Sequence, residues 1–147
     1  MKKTIIVFIL FALAVASGFA QKSSVFNTKG VAINGYDVVA FFSDSNAIKG
    51  DVAFAFHWQG VDWLFTNNQH RETFKNAPEK YAPAYGGYCA YGTADGHKAP
   101  TEIDTWTITG GKLYFNYNKK VQSFWLKDQQ HFIEKADQQW PQIKDKE

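Results

Sequence analysis

The segment from Phe54 to Phe65 constrains the fold of this chain most. Gln59-Gly60 suits a two-residue turn, and period-two alternation on either side of it gathers six apolar side chains on one face of a hairpin. The cross-strand pairs predicted in this way are Trp58 with Val61, Phe56 with Trp63, and Phe54 with Phe65. The same register sets His57 opposite Asp62 on the other face. Such a hairpin needs a second layer of structure to cover its apolar side.

A second hairpin is predicted around Gly110-Gly111. This turn pairs Ile108 with Leu113 and Trp106 with Phe115 on one apolar face. The residues left pointing outward are Thr107, Thr109, Lys112 and Tyr114.

Helices are expected to cover these faces. Asn67 or Asn68 can cap a helix that runs to about Asn76 and carries His70 and Phe74 on one side. Two further helices are predicted over about 118–127 and 128–140, with apolar faces formed by Val121, Phe124 and Trp125, and by Phe132, Ile133, Ala136 and Trp140. We therefore predict an α+β fold, with antiparallel β-hairpins packed against short helices in a single small domain.

The N-terminus has the pattern of a secretory signal peptide. Lys2-Lys3 precede an apolar run from Ile5 to Ala16, and Gly18-Phe19-Ala20 places small residues before Gln21. The run is too short for a membrane span, and no comparable apolar stretch follows it. We expect residues 1–20 to be removed and the protein to be exported, periplasmic or secreted, without a stable membrane span.

The mature chain is predicted to consist of a flexible leader (21–29), one domain (30–141) and a charged tail (142–147). The full chain has 16 Lys and Arg against 14 Asp and Glu, and loss of Lys2-Lys3 brings its net charge close to zero. No basic run long enough to follow a phosphate backbone remains, so nucleic acid is excluded as a partner.

Cys89 is the only cysteine and has no internal disulfide partner. It is therefore a buried apolar residue, a reactive thiol, a metal ligand or a link to another chain.

Several segments together resemble the YHS domain family, in particular its exported members. The resemblance covers about residues 30–141. It rests on Gly35-Tyr36-Asp37-Val38-Val39-Ala40-Phe41-Phe42, on Gly60 with Trp63 and Phe65, on Phe74, Pro78, Tyr81 and Pro83, on Tyr85-Gly86-Gly87-Tyr88-Cys89-Ala90, on Trp106, and on Gly111-Lys112-Leu113-Tyr114 with Asn116.

The resemblance implies a small domain often linked to heavy-metal handling. Metal-binding members carry a Phe-Cys-Ser-x-x-Cys stretch where this chain has Phe65-Thr66-Asn67-Asn68-Gln69-His70, so Thr66 and His70 replace both cysteines. The residues that remain for a metal are Cys89, His70 and His97, with His57 as a further imidazole. Thiolate and imidazole groups could bind copper or zinc if the fold brings them together. Otherwise His70 packs beside Phe74, and Cys89 fills the core.

A ligand-binding cleft is the second possibility. The segment from Tyr81 to Pro100 is rich in glycine and tyrosine, which predicts a compact loop region with close backbone approaches. The candidate ligand-binding residues are Tyr36, Asp37, Tyr85, Gly86, Gly87 and Tyr88. The same tyrosines could instead fill the core of the domain.

A thiol enzyme, with Cys89 as nucleophile and His97 as base, is the third possibility. The chain has no Cys-x-x-Cys pair, and nothing in the sequence puts Cys89 at a helix N-terminus, so no lowered thiol pKa is predicted. We therefore expect a non-enzymatic domain that binds a small ligand. A transition-metal ion is the first candidate, and an aromatic-cleft ligand or a protein partner is the second.

Overall fold

The computed structural model describes residues 22–146, so the predicted signal peptide lies outside the described residues. Between Lys22 and Lys146, no helix is long and apolar enough to cross a membrane.

Four strands form the larger sheet, in the spatial order β1-β2-β4-β3. They are β1 (Asn27–Thr28), β2 (Val31–Ala32), β3 (Asp51–Trp58) and β4 (Val61–Phe65). The β3–β4 hairpin turns at Gln59-Gly60, and both residues have positive φ, as the favoured two-residue hairpin turn requires. The predicted pairs of Trp58 with Val61, Phe56 with Trp63 and His57 with Asp62 are confirmed.

The predicted pairing of Phe54 with Phe65 is wrong. Asp51 lies opposite Phe65 instead, and the register shifts between Asp51 and Ala55. The carboxylate of Asp51 accepts a hydrogen bond from the Ala53 backbone N–H at 2.8 Å. This bond takes a donor away from the strand ladder, and the strand bulges there.

Two strands, β5 (Glu102–Thr109) and β6 (Lys112–Asn116), form the second sheet around Gly110-Gly111. The predicted pair of Ile108 with Leu113 is confirmed, but the register shifts beyond Thr107, and Trp106 does not pair with Phe115. The cause is the Thr105 hydroxyl, which exchanges two hydrogen bonds of 2.8 Å with the backbone of Asn116. At this point the Thr105 side chain thus replaces the backbone-to-backbone hydrogen bonds between β5 and β6.

Six α-helices and two 3₁₀ turns complete the described chain. The helices are α1 (Ala40–Ser43), α2 (Asn68–Asn76), α3 (Pro78–Tyr81), α4 (Ala90–Ala94), α5 (Lys119–Lys127) and α6 (Gln129–Ile143). Asn67 caps α2 and Asn118 caps α5, each accepting a backbone N–H three residues ahead, so the predicted starts of these helices are confirmed. The α+β class is confirmed as well.

The two faces of the second hairpin belong to different cores. Trp106 and Phe115 pack against Phe41 of α1 in the first core, which also receives the apolar face of the β3–β4 hairpin. Tyr114, which was expected to point outward, is buried in a second core. The members of that core are Tyr85, Ala90, Ala94, Tyr114, Trp125 and Ala136.

Helix α5 presents a different face from the predicted one. Trp125 is fully buried as expected, but Phe124 is 40% exposed. Gln122 takes the buried position, since its amide donates to the Thr105 carbonyl at 2.7 Å and to the Thr107 hydroxyl. Gln122 can be buried on this helix face because its amide has two hydrogen-bond partners inside the protein, and Phe124 is left on the exposed face.

The segments expected as a flexible leader and a charged tail are attached to the domain. Val25 is buried, and the Phe26 N–H donates to the Gly86 carbonyl at 2.8 Å. The ammonium of Lys98, almost fully buried, donates to the carbonyls of Lys22 at 3.0 Å and Lys144 at 2.9 Å. Lys98 therefore holds both ends of the described chain together.

Candidate functional site

Asp37 is a buried hub of hydrogen bonds. One carboxylate oxygen accepts the N–H groups of Val39 and Ala40 at the start of α1, and the other accepts the N–H and hydroxyl of Thr66. The second oxygen also lies 2.7 Å from Nδ1 of His70. Asp37 was predicted as a ligand-binding residue, yet its oxygens are engaged within the fold, where they join α1, β4 and α2.

His70 connects this hub to the surface. Its Nδ1 faces Asp37, while Nε2 lies 3.3 Å from the Ser43 hydroxyl and 3.9 Å from a carboxylate oxygen of Asp44. The side chain of His70 is 14% exposed. It borders a depression of about 240 Å³ whose walls include Phe42, Gln69 and Tyr81.

Cys89 is a buried thiol, 1% exposed, and caps helix α4, although the sequence did not place it at a helix terminus. Its sulfur accepts the N–H groups of Gly92 at 3.4 Å and Tyr117 at 3.2 Å, and its S–H points to the Asn116 amide oxygen. Burial raises the pKa of Cys89 above its ordinary value, even though these N–H groups favour the thiolate. The protonated thiol is therefore the stable form.

His97 and Cys89 share a largely apolar depression of about 310 Å³. His97 is exposed, and its Nε2 lies 3.2 Å from the position that a Cβ on Gly92 would occupy. His70 lines a different depression, where Asp37 holds it. The structure thus brings together two of the three predicted metal ligands, Cys89 and His97, and sets His70 apart. Among residues 22–146, no group of three or more His, Cys, Asp and Glu side chains is arranged to hold a metal ion.

A third concave site lies where the tip of the β3–β4 hairpin, the 3₁₀ turn at Ala84–Gly87 and the end of α6 meet. This aromatic cleft has a volume of about 290 Å³. Its aromatic walls are Trp58, Trp63, Tyr85 and Trp140, and the charged residues that line it are Glu79, Lys112, Lys144 and Asp145.

The wall formed by Tyr85 and Gly86 depends on an unusual backbone. Tyr85, Gly86 and Gly87 have three consecutive positive φ values of 56°, 61° and 85°. A Cβ on Gly86 would collide with the Ser24 carbonyl, and one on Gly87 would collide with the Ile33 side chain. Glycine is therefore required at Gly86 by close packing against backbone as well as by conformation, and at Gly87 a side chain would displace the Ile33 side chain.

Tyr85 is held in place at both ends of its side chain. Its ring packs against Tyr114 and Trp140, and its hydroxyl donates to the Asp137 carboxylate at 2.9 Å. Burial, together with the neighbouring Asp137, raises the pKa of Tyr85 well above its ordinary value. The phenol is thus a fixed, neutral wall of the cleft.

The other predicted ligand-binding residues have supporting positions or lie elsewhere. The Tyr88 hydroxyl donates to the Ser23 carbonyl at 2.7 Å, and its ring packs against Phe26 and Trp140 behind the cleft. The Tyr36 ring lies under the Lys49 ammonium, 5.0 Å from its centroid. The aromatic cleft residues that sequence patterns missed as ligand contacts are Trp58, Trp63 and Trp140, since all three were assigned to apolar core faces.

Comparison with known proteins adds no assignment. No family model matches the chain, and neither does any curated protein or solved structure. The resemblance to the YHS domain family therefore stays a proposal.

Proposed function

We propose that this protein is an exported, non-enzymatic domain that binds a small ligand in the aromatic cleft. The observation that carries the proposal is the convergence of Trp58, Tyr85 and Trp140, from three distant parts of the chain, on one concave site. Small-molecule sites combine apolar and aromatic walls with a few polar groups, and the volume of about 290 Å³ lies at the lower end of their range. We infer a small, planar ligand with at least one polar end.

The charged residues of the cleft support a polar end on the ligand. The cleft is lined by Lys112 and Lys144 as well as by Glu79 and Asp145, so it can contact ligand groups of either charge. Among residues 22–146, the Lys112 ammonium donates to one backbone carbonyl, that of Glu79 at 3.3 Å, and it keeps further donors for a ligand. Anionic groups on the ligand are therefore expected to contact Lys112.

The rigidity of the walls supports binding without rearrangement. The phenol of Tyr85 is fixed by Asp137, and the indole of Trp63 donates to the Trp58 carbonyl at 3.0 Å. Side chains already held in place lose little freedom when a ligand binds, and this favours affinity.

The buried thiol argues for a binding protein over a thiol enzyme. A catalytic cysteine must be accessible and must form thiolate near neutral pH, whereas Cys89 is buried and its pKa is raised.

Export is supported by the pattern of Lys2-Lys3, the apolar run and Ala20, and N-terminal sequencing of the mature protein should begin at Gln21.

Fluorine NMR on protein labelled with 5-fluorotryptophan tests the cleft directly. The chain has five tryptophans, of which Trp58, Trp63 and Trp140 line the cleft, while Trp106 and Trp125 do not. Titration with a panel of small aromatic acids and amines should shift the Trp58 and Trp140 resonances and leave those of Trp106 and Trp125 in place. If no compound in the panel shifts the cleft resonances selectively, small-ligand binding at this site is refuted.

A matched pair of lysine variants tests the role of charge. Lys112→Ala should weaken binding of an aromatic acid by at least about tenfold, since it removes one charge-assisted hydrogen bond of roughly 1.5–3 kcal/mol. Lys120→Ala, an exposed lysine on α5 and outside the cleft, should leave the affinity unchanged. Equal effects of the two variants would show that only net charge matters.

A further inference from the structure

We propose that the Ser43 hydroxyl is a covalent acylation site, which takes the acyl group of a small activated ester with His70 as the general base. The proposal goes beyond ligand binding in the aromatic cleft, since the depression beside His70 shares no lining residue with that cleft. Ser43 is modified once per chain and the acyl group is retained. The domain therefore remains a non-enzymatic one.

The side chains of Ser43, His70 and Asp37 lie in a row. The Ser43 hydroxyl is 3.3 Å from His70 Nε2, and His70 Nδ1 is 2.7 Å from a carboxylate oxygen of Asp37. An activated nucleophile is recognised by this order of contacts, in which a base faces the nucleophile and a third group orients the base. The first distance is slightly above the usual range of roughly 2.6–3.2 Å, as is common before a reactant binds.

Asp37 holds the imidazole in the form that a base needs. The carboxylate is fully buried, and its other oxygen accepts the N–H groups of Val39 and Ala40, so its orientation is fixed. A carboxylate only accepts hydrogen bonds, so the oxygen at 2.7 Å keeps the proton of neutral His70 on Nδ1. The lone pair on Nε2 then faces the Ser43 hydroxyl. When Nε2 takes the hydroxyl proton, Asp37 stabilises the imidazolium that forms.

The reacting groups are open to a small molecule. Ser43 is exposed, and it lines the depression of about 240 Å³ together with His70. The rings of Phe42 and Tyr81 pack edge to face, 5.4 Å apart, and form an apolar wall suited to a short acyl or aryl group. The Gln69 amide lies in the same lining and makes no side-chain hydrogen bond to the described residues. Its N–H groups are therefore available to an ester carbonyl oxygen.

The reaction transfers the acyl group from one oxygen to another. Ser43 Oγ attacks the carbonyl carbon and forms a new ester bond, while the bond from this carbon to the leaving oxygen breaks. The hydroxyl proton passes to His70 Nε2 and from there to the leaving group, which departs as an alcohol or a phenol. Atoms and charges balance with the ester as the only reactant.

The backbone around Ser43 explains why the acyl group is retained. Serine hydrolases stabilise the tetrahedral intermediate with backbone N–H groups, commonly that of the nucleophile or of the residue after it. Here the Ser43 N–H donates to the Val39 carbonyl at 3.0 Å, and the Asp44 N–H donates to the Ala40 carbonyl at 2.9 Å. Both donors are thus engaged within α1.

Competing hydrogen bonds slow the reaction further. The Ser43 hydroxyl lies 3.2 Å from the Val39 carbonyl and 3.1 Å from a carboxylate oxygen of Asp44, so His70 is one of three acceptors for its proton. Attack by Ser43 therefore requires a good leaving group, such as a phenol. The serine alkoxide is a poor leaving group, so water removes the acyl group much more slowly than Ser43 receives it.

The probe that tests the site is p-nitrophenyl acetate. Wild-type protein should release one p-nitrophenol per chain in a burst and gain one acetyl group, which peptide mass spectrometry should place on Ser43. Ser43→Ala should remove the burst. Because Ser43 is exposed, this variant is expected to keep its fold, as circular dichroism will check. Continued release at the burst rate with no acetyl group retained would mean turnover and would refute the proposal.

Chemical rescue separates a base from a merely structural histidine. His70→Ala should slow acetylation of Ser43 at least about a hundredfold, the lower end of what a general base contributes. Free imidazole should restore part of the rate in this variant, since it can take the proton from the place that the side chain has vacated. Failure of imidazole to raise the rate in folded His70→Ala protein would contradict the role of His70 as the base.

The chain offers matched controls for both residues. Ser123 is exposed and donates to a helix carbonyl, that of Lys120 at 2.6 Å, but no histidine adjoins it among the described contacts. His57 lies 2.6 Å from Asp62 in an exposed pair that has no serine beside it in the described chain. Ser123 should therefore stay unmodified, and His57→Gln should leave the burst unchanged. Equal acetylation of Ser123 and Ser43, or equal losses in His57→Gln and His70→Ala, would overturn the proposal.

Discussion

The carboxylate of Asp37 and the imidazole of His70 are joined by a 2.7 Å contact, although Asp37 precedes the β3–β4 hairpin in the sequence and His70 follows it. Asp37 is fully buried and also anchors α1 and Thr66, whereas His70 extends to the surface. The contact therefore couples the stability of the domain to the position of one surface imidazole.

Replacement of Asp37 should destabilise the protein strongly. Asp37→Asn turns one acceptor oxygen into a donor group that faces N–H or O–H donors, so a buried hydrogen bond becomes a conflict. We expect a loss of about 2–4 kcal/mol in the free energy of unfolding, measured in urea. Asp62→Asn, in the exposed pair with His57, should cost at most about 0.5 kcal/mol. Similar losses in the two variants would contradict the hub role of Asp37.

Gly86 should tolerate no side chain. Gly86→Ala combines positive φ with a collision against the Ser24 carbonyl, and we expect a loss of more than about 2 kcal/mol. Gly30 has a similar φ of 82° with nothing within 4 Å of the added Cβ, so Gly30→Ala should show the conformational cost alone, about 1 kcal/mol. Thermal or urea unfolding of both variants separates the two effects, and equal losses would mean that the close approach to Ser24 is unimportant.

Cys89 should be unreactive in the native protein. Alkylation near pH 7 is expected to be slow before denaturation and fast after it, because burial shields the thiol and raises its pKa. Fast labelling of native protein that His97→Ala abolishes would instead support a catalytic thiol.

Alkaline pH should destabilise the fold in two stages. The folded pKa values of Cys89 and Tyr85 are raised mainly by burial, so the folded state holds these protons more tightly than the unfolded chain. The stability that they contribute is complete below the unfolded pKa values and is lost as pH rises above about 8.5 for the thiol and about 10 for the phenol, toward the folded values. In Cys89→Ala the first stage should disappear from a series of urea unfolding curves, while the second remains.

Lys98 should control the order of both ends of the described chain. Lys98→Met keeps an apolar stem but removes the donors to the carbonyls of Lys22 and Lys144. Hydrogen exchange should accelerate in residues 22–28 and 143–146 and stay unchanged in β4 and β6. Uniform acceleration throughout the domain would indicate global destabilisation instead.

The turns and apolar alternation were sufficient to predict both hairpins and the helix starts, because these features depend on neighbours in sequence. The strand register departs from the prediction at Asp51 and Thr105, where a side chain takes the place of a backbone-to-backbone hydrogen bond between the strands. The alternation of apolar and polar residues carries no information about which side chains do this. The contact of Asp37 with His70 spans 33 residues, and the aromatic cleft joins Trp58 to Trp140. Only the three-dimensional packing creates these two sites, so residue spacing could nominate some of their members but not their partners.

The hold of Lys98 on Lys22 and Lys144 has a practical consequence for any fusion protein. The two carbonyls bound by one ammonium bring the exits of the chain side by side, and Ser24, Lys144 and Asp145 lie in the lining of the aromatic cleft. A reporter, tag or surface tether attached at either end would therefore lie beside the mouth of the cleft and obstruct ligand access to it. Immobilisation through an exposed residue outside the cleft lining, such as Val52 at the opposite end of β3 from Trp58, would leave access to the cleft open.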